Sequence, residues 1–268
     1  MSTQLRSHAL RRGTLAGVLT LACGSIVSVS QGRAQTAKAI TVAAASDLKF
    51  VLEDLVQCFA QNGAQPPELI FGSSGNLARQ IQQGAPYDLF MSADEALIDR
   101  LLAAKLIRDR GAVYGVGYLV LIALAGSMLS LPSDFKSIVS LLPQVERFAI
   151  ANPEHAPYGR AAAQAIKSAG LHDALAAKLV LGENVVAATQ FVLTGAAQLG
   201  ITGQALVRAP ALASKLKYSN IDSGMHAPLI MRMALIGDAS AAARAFYQFL
   251  QGDQARSLFQ RYGFGQSS

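Results

Sequence analysis

Four times along this chain a short apolar run ends in small or polar residues and passes straight into a helical apolar pattern. That repeated corner limits the fold more than any other feature. Residues 41–45 read as a buried strand ending in Ser46-Asp47, after which Leu48, Val51, Leu52, Leu55, Val56 and Phe59 share one helix face. Residues 68–71 lead into Gly72-Ser73-Ser74-Gly75, and from Asn76 onward Leu77 and Ile81 keep helical spacing. A third strand, 148–151, runs into Asn152-Pro153-Glu154-His155-Ala156-Pro157-Tyr158-Gly159, where Pro157 presets the entry into a helix. The fourth corner is Gly182-Glu183-Asn184-Val185. Strands alternating with helices predict an α/β architecture, a mostly parallel sheet flanked by helices.

Such corners can bind anions. The first turn of a helix carries unpaired N–H groups and partial positive charge, so an oxyanion needs no Lys or Arg to be held there. In a parallel sheet the carboxyl ends of neighbouring strands open into one crevice, which puts Ser46 and Ser74 within reach of one small ligand. The backbone N–H groups of Tyr158, Gly159 and Val185 are further donors, and Ser73 is an additional candidate. Each corner also has a plain reading as a helix cap or an ordinary βα loop, and one segment alone leaves both open. Asp47 is a further candidate, though capping the following helix is its favoured role because an ionised carboxylate would repel an anion. His155 lacks a partner at metal-ligand spacing and reads as a loop residue near the crevice. Arg79 and Gln80 read as buttresses.

Length and composition set the frame. A chain of 268 residues, 51% of them hydrophobic, can bury one large core or two modest ones, and two domains are expected. Arg6, Arg11 and Arg12 precede an uncharged run over 13–31, and Gly32-Arg33-Ala34 offers small residues where a signal peptidase reads, so residues 1–34 are expected to be a cleaved secretory signal. Without Arg6, Arg11, Arg12 and Arg33 the chain holds 19 basic against 17 acidic residues, a net charge near +2. With no Trp and no basic groove interleaved with aromatics, nucleic-acid binding has no support. Cys23 lies in the signal and only faintly matches a lipid-attachment site. Cys58, beside Phe59, reads as a core thiol.

Further along, residues 89–92 read as a strand and 95–105 as a helix. Residues 114–125 read as one long strand, then 158–169 as a helix, 179–181 as a strand, 185–193 as a helix and 198–202 as a strand. A late strand over 228–236 and closing helices over 239–250 and 254–262 complete the pattern.

Five blocks in order give the chain a family likeness: Ala43-Ala44-Ala45-Ser46-Asp47-Leu48, Gly72-Ser73-Ser74-Gly75-Asn76-Leu77-Ala78-Arg79-Gln80-Ile81, Gly84-Ala85-Pro86-Tyr87-Asp88-Leu89-Phe90-Met91-Ser92-Ala93-Asp94, the stretch 151–159, and Arg261-Tyr262-Gly263-Phe264. Over essentially all of residues 35–268 it resembles the periplasmic molybdate-binding proteins of ABC importers, within the two-lobed type II solute-binding proteins. That resemblance implies a periplasmic, monomeric binding protein and not an enzyme. It would have one lobe at 35–117 and 232–268, another at 118–231, and two interlobe crossovers near 116–121 and 229–233. Its ligand would be molybdate or tungstate, held by hydroxyl and amide hydrogens of Ser46 and Ser74 and by the amides of Tyr158 and Val185, and handed to a membrane permease driven by a cytoplasmic ATPase. No cofactor and no catalytic residue is expected. Molybdenum or tungsten would enter only as the oxyanion, its metal atom without direct protein ligands.

A donor-only site suits such a guest. Molybdate and tungstate carry no proton at neutral pH, whereas singly protonated phosphate needs an acceptor, whose lack costs about 1–3 kcal/mol. One departure stands out. Some family members place a Tyr hydroxyl on the anion just after a strand ending in Gly-Ile, but here Gly200-Ile201 is followed by Thr202-Gly203-Gln204, so Thr202 is the replacement candidate. This departure keeps a second ligand class in view, sulfate, thiosulfate or another small oxyanion. An exported hydrolase using Ser46 or Ser74 is the alternative from another class, but Ser74 lacks Gly-x-Ser-x-Gly spacing.

Overall fold

The computed structural model describes residues 39–61 and 63–266, so the expected signal segment, with Cys23, lies outside the described residues. From the amino-terminal side, β1 (Thr41–Ala45) passes through a 3-10 turn, Ser46–Leu48, into α1 (Lys49–Gln61). Next come β2 (Glu68–Gly72), α2 (Ser74–Gln82), β3 (Leu89–Ser92), α3 (Glu95–Ala103), β4 (Ala112–Gly117) and β5 (Leu119–Leu124). They are followed by β6 (Phe148–Ala151), α4 (Pro157–Ser168), α5 (His172–Ala176), β7 (Leu179–Gly182), α6 (Val185–Leu193) and β8 (Leu199–Gly203). The chain ends with α7 (Gln204–Arg208), α8 (Pro210–Ala213), β9 (Leu216–Asn220), β10 (Leu229–Leu235), α9 (Ala241–Phe249) and α10 (Asp253–Arg261).

Two five-stranded sheets result, β2-β1-β3-β10-β4 and β7-β6-β8-β5-β9. They share one plan. In each, four strands run the same way and the fourth position is held by an antiparallel strand, β10 in the first sheet and β5 in the second. This is the expected mostly parallel, two-sheet α/β architecture with helices flanking both sheets. The chain passes from the first sheet to the second at Tyr118 and returns over residues 221–228.

Two details differ from the sequence reading. The run 114–125 is not one strand: β4 and β5 lie in different sheets, parted at Tyr118, which is half-exposed between buried neighbours. The return crossing comes earlier than 229–233, because Leu229, Ile230 and Met231 already pair with Gly117, Val116 and Gly115 of the first sheet.

The apolar runs of β1 and β3 follow from burial on both faces. Val42, Ala44, Leu89 and Met91 join a cluster on one face, while Ala43 and Phe90 point to the other, where Leu77 and Ile81 of α2 cover them. Burying a side chain the size of Ile81 is worth about 1.5–3 kcal/mol, which fixes α2 and hence the corner at its start. The first cluster continues through Leu119, Phe148, Leu199 and Met231, so a single apolar core joins the two sheets.

Candidate functional site

Strand register builds the site. Ala45 pairs with Gly72 at the ends of β1 and β2, so the residues that follow, Ser46 and Ser73, leave the sheet side by side. In the second sheet Ala151 pairs with Gly182, which brings the starts of α4 and α6 together in the same way. All four corners open onto one tight cavity of about 10 Å³. From the first sheet it is lined by Ala45, Ser46, Asp47, Gly72, Ser73, Ser74 and Ala93, and from the second by Ala156, Pro157, Tyr158, Asn184 and Val185. The structure therefore brings together six of the sequence-derived site residues: Ser46, Asp47, Ser73, Ser74, Tyr158 and Val185. It leaves out two, Gly159 and Thr202. Thr202 does not line the cavity; its buried hydroxyl bonds Thr189 Oγ1 at 2.6 Å, and Thr189 in turn donates to the Val185 carbonyl.

Several donors on the rim stay available. Ser74 opens α2, and its Oγ accepts the Ala93 N–H at 3.0 Å, which orients the hydroxyl and leaves its own proton to donate. Val185 is the first residue of α6, after Asn184, whose side chain caps the helix by accepting from Ala187 N. Tyr158 follows Pro157 in the first turn of α4. N–H groups at such positions have no carbonyl within their own helix to bond. None of the lining residues is Lys or Arg, and among the described residues no cluster of three His, Cys, Asp or Glu is placed to hold a metal ion.

The side chains of the two halves also touch. Ser73, expected to cap its helix or face the ligand, makes no side-chain cap bond and instead shares a hydrogen bond of 2.9 Å with His155 Nδ1. The Gly75 N–H donates to the His155 carbonyl at 2.9 Å, and a Cβ at Gly75 would stand 2.3 Å from that oxygen, so only glycine permits this approach. Arg160 pairs with Asp94 across the same seam. His155 is thus a structural contact between the halves, which sequence reading missed because its partners lie about eighty residues away.

Asp47 departs furthest from expectation. It does not cap a helix. Its Oδ2 accepts the Tyr158 hydroxyl at 3.2 Å, while Oδ1 is buried without a hydrogen-bond partner. Burial pushes the carboxyl up to about 7, against the downward pull of the Tyr158 hydroxyl and its own backbone N–H. Burial likewise raises Tyr158 well above the usual phenol range, with the nearby Asp47 charge adding to it, so Tyr158 stays a neutral donor.

The missing tyrosine near position 203 has a physical counterpart. The Tyr158 ring lies against Gly117 and Gly203: a Cβ at Gly203 would stand 2.9 Å from Tyr158 Cε1, and one at Gly117 would stand 2.6 Å from its hydroxyl oxygen. A side chain at 203 would displace the ring that Asp47 bonds.

Comparison with known proteins agrees with this architecture. A family profile described as bacterial extracellular solute-binding protein matches residues 40–265. The molybdate-binding protein ModA of Escherichia coli K12 is 34% identical over 230 residues, 84% of this chain and 88% of that protein. The periplasmic molybdate-binding protein of Azotobacter vinelandii superposes with a TM-score of 0.77 at 27% identity, over 85% of this chain and all of the other. The sulfate-binding protein SubI of Mycobacterium tuberculosis shares the fold, with a TM-score of 0.69 at 17% identity over 85% of this chain and 86% of its own. The molecule is a binding protein and not an enzyme. Its two sheets, the cleft between them and its kinship with ModA proteins together mean that the chain belongs to the bacterial extracellular solute-binding protein family.

Proposed function

We propose that this chain captures molybdate or tungstate in the cavity between its two sheets and delivers it to the permease of an ABC importer, whose cytoplasmic ATPase supplies the work. The observation that carries the reading is the convergence of uncharged donors from both halves on one small cavity with no Lys or Arg in its lining. Ser46 and Ser74 offer hydroxyls, and Tyr158 and Val185 offer backbone N–H groups. A tetrahedral dianion accepts at every oxygen, so these donors suit it without a counter-charge. The metal atom stays inside its oxygen shell and meets no protein ligand.

In this reading the lobes are 39–117 with 229–266 and 119–220, joined at Tyr118 and over 221–228, and the chain works as an exported monomer after loss of residues 1–34. Ligand held by both lobes favours the closed arrangement, in which Gly75 meets His155 and Arg160 meets Asp94. A second reading, sulfate or thiosulfate, is favoured by the Thr202-Gly203 segment in place of a tyrosine donor. Calorimetric titration of the purified chain with molybdate, tungstate and sulfate separates the two. Tight binding of the first two is expected, and binding of sulfate alone would replace this conclusion.

A further inference from the structure

We propose that Asp47 is a proton-carrying contact of the anion: its carboxyl takes up one proton from solvent as the oxyanion enters and donates it from Oδ1 to an oxygen of the guest. The inference rests on reading the cavity as an oxyanion site and deepens that reading.

The geometry demands some such device. Asp47 is 2% exposed and lines the cavity. One of its oxygens is occupied by the Tyr158 hydroxyl, and the other is buried with no hydrogen-bond partner. A buried polar atom without a partner is costly unless something fills the gap. A dianion cannot fill it for an ionised carboxylate, because lone pairs would face lone pairs and like charges would repel. A protonated carboxyl has the one hydrogen that resolves both conflicts, and it turns an acceptor into another donor of the site.

No neighbouring group removes the need. On α4, Tyr158 is a neutral donor and Arg160 is paired with Asp94. On β4, Tyr114 donates its hydroxyl to the Ser92 carbonyl and is itself pushed well above its ordinary range by burial and by Asp47. α6 packs against the Ser46–Leu48 turn and carries no titratable side chain. On α7 the charged group is Arg208, exposed and lying against Gly263. On α1, Lys49 sits over the Phe50 ring, Glu53 is exposed and Asp54 accepts from Tyr262. His155 reaches the rim only through Ser73. Among the described residues no ion pair involves Asp47. With the carboxyl raised to about 7 by burial in the closed arrangement even without a guest, the proton is close at hand at neutral pH, and an arriving dianion favours it further.

The proton balance is simple. Above pH 8 an ionised Asp47 and a fully ionised anion combine with one solvent proton. Molybdate titrated into the full chain at pH 8.5, in buffers of differing ionisation enthalpy, should show uptake approaching one proton per anion. Affinity should fall by up to about tenfold per pH unit above pH 8 and level off below about pH 7. Asp47→Asn, whose amide is a donor at every pH, should show no uptake and a flat profile, whereas His155→Gln should keep the uptake. Wild-type binding without uptake overturns this inference alone, and so does uptake lost in His155→Gln but kept in Asp47→Asn. Should Asp47→Asn fail to fold, the wild-type buffer series still decides. Failure of molybdate and tungstate to bind at any pH overturns the cavity reading and this inference with it.

Discussion

The two halves of the molecule line their shared cavity by different means. The first sheet adds side chains, namely the hydroxyls of Ser46 and Ser74 and the carboxyl of Asp47, to its own helix-start N–H groups. From the second come backbone N–H groups at the starts of α4 and α6, while the side chains of those residues do other work: the Tyr158 ring fills the space beside Gly117 and Gly203, and Val185 is buried in the core. A side-chain donor can be deleted by mutation, but a backbone donor survives most substitutions. The halves should therefore respond differently to the same kind of change.

The largest expected effect is at Asp47, where a carboxyl of the first half is bonded by a hydroxyl of the second. Its folded value, about 7, lies above the ordinary 3.8, so between those values the folded chain holds more protons than the unfolded one. Stability from this group is therefore fully present below about pH 4 and is lost as pH rises through 7, by at most roughly 4 kcal/mol for a shift of about three units. Urea denaturation without ligand should show Asp47→Asn gaining on the wild type between pH 5 and pH 8. Parallel curves would mean that the carboxyl is relieved in some other way.

Next in size is the contrast between Ser74 and Val185. Ser74→Ala should weaken molybdate binding by tenfold or more, since a hydrogen bond to a charged group contributes about 1.5–3 kcal/mol. It should also cost about 1 kcal/mol of stability, because the Ala93 N–H loses its acceptor, a partner that sequence alone does not reveal. Val185→Ala keeps the backbone donor and should leave affinity within about threefold, although it opens a small gap in the core. Val185→Pro is the sharper variant. The first position of a helix tolerates proline, and Asn184 already holds the extended backbone that a following proline requires, but the N–H is gone. It should bind about as poorly as Ser74→Ala. Wild-type affinity in Val185→Pro, measured by calorimetry, would remove the backbone donor from the second half of the comparison.

What the sequence made legible follows the same division. Residues 41–45, 89–92 and 148–151 are short runs buried on both faces, and they match strands β1, β3 and β6 to the residue. The four corners were visible because Ser, Gly, Pro and Asn are the residues that helix starts require. The break at Tyr118 was hidden, since β4 and β5 are each apolar and hydrophobicity does not record a change of sheet. β9, with the sequence Leu216-Lys217-Tyr218-Ser219-Asn220, was missed because as an edge strand with alternating exposure it looks like a loop. Asp47 looked like a cap because its partner, Tyr158, is 111 residues away, and no local pattern joins the two.

The smallest effect is expected at Thr202, and it tests whether the second half contributes side-chain hydroxyls at all. At sequence level Thr202 stood in for a missing tyrosine donor. In the structure it is fully buried behind the cavity wall, hydrogen bonded to Thr189, which itself donates to the carbonyl of Val185. Thr189 therefore spends its proton on Val185, and Thr202 is the donor in the pair between the hydroxyls. Thr202→Val keeps the shape and removes one hydrogen bond, while Thr189 keeps its bond to the backbone. Stability should fall by about 1 kcal/mol, and molybdate affinity should change by less than about threefold. A tenfold loss of affinity with stability intact would place the Thr202 hydroxyl on the anion and make the second half a side-chain contributor like the first.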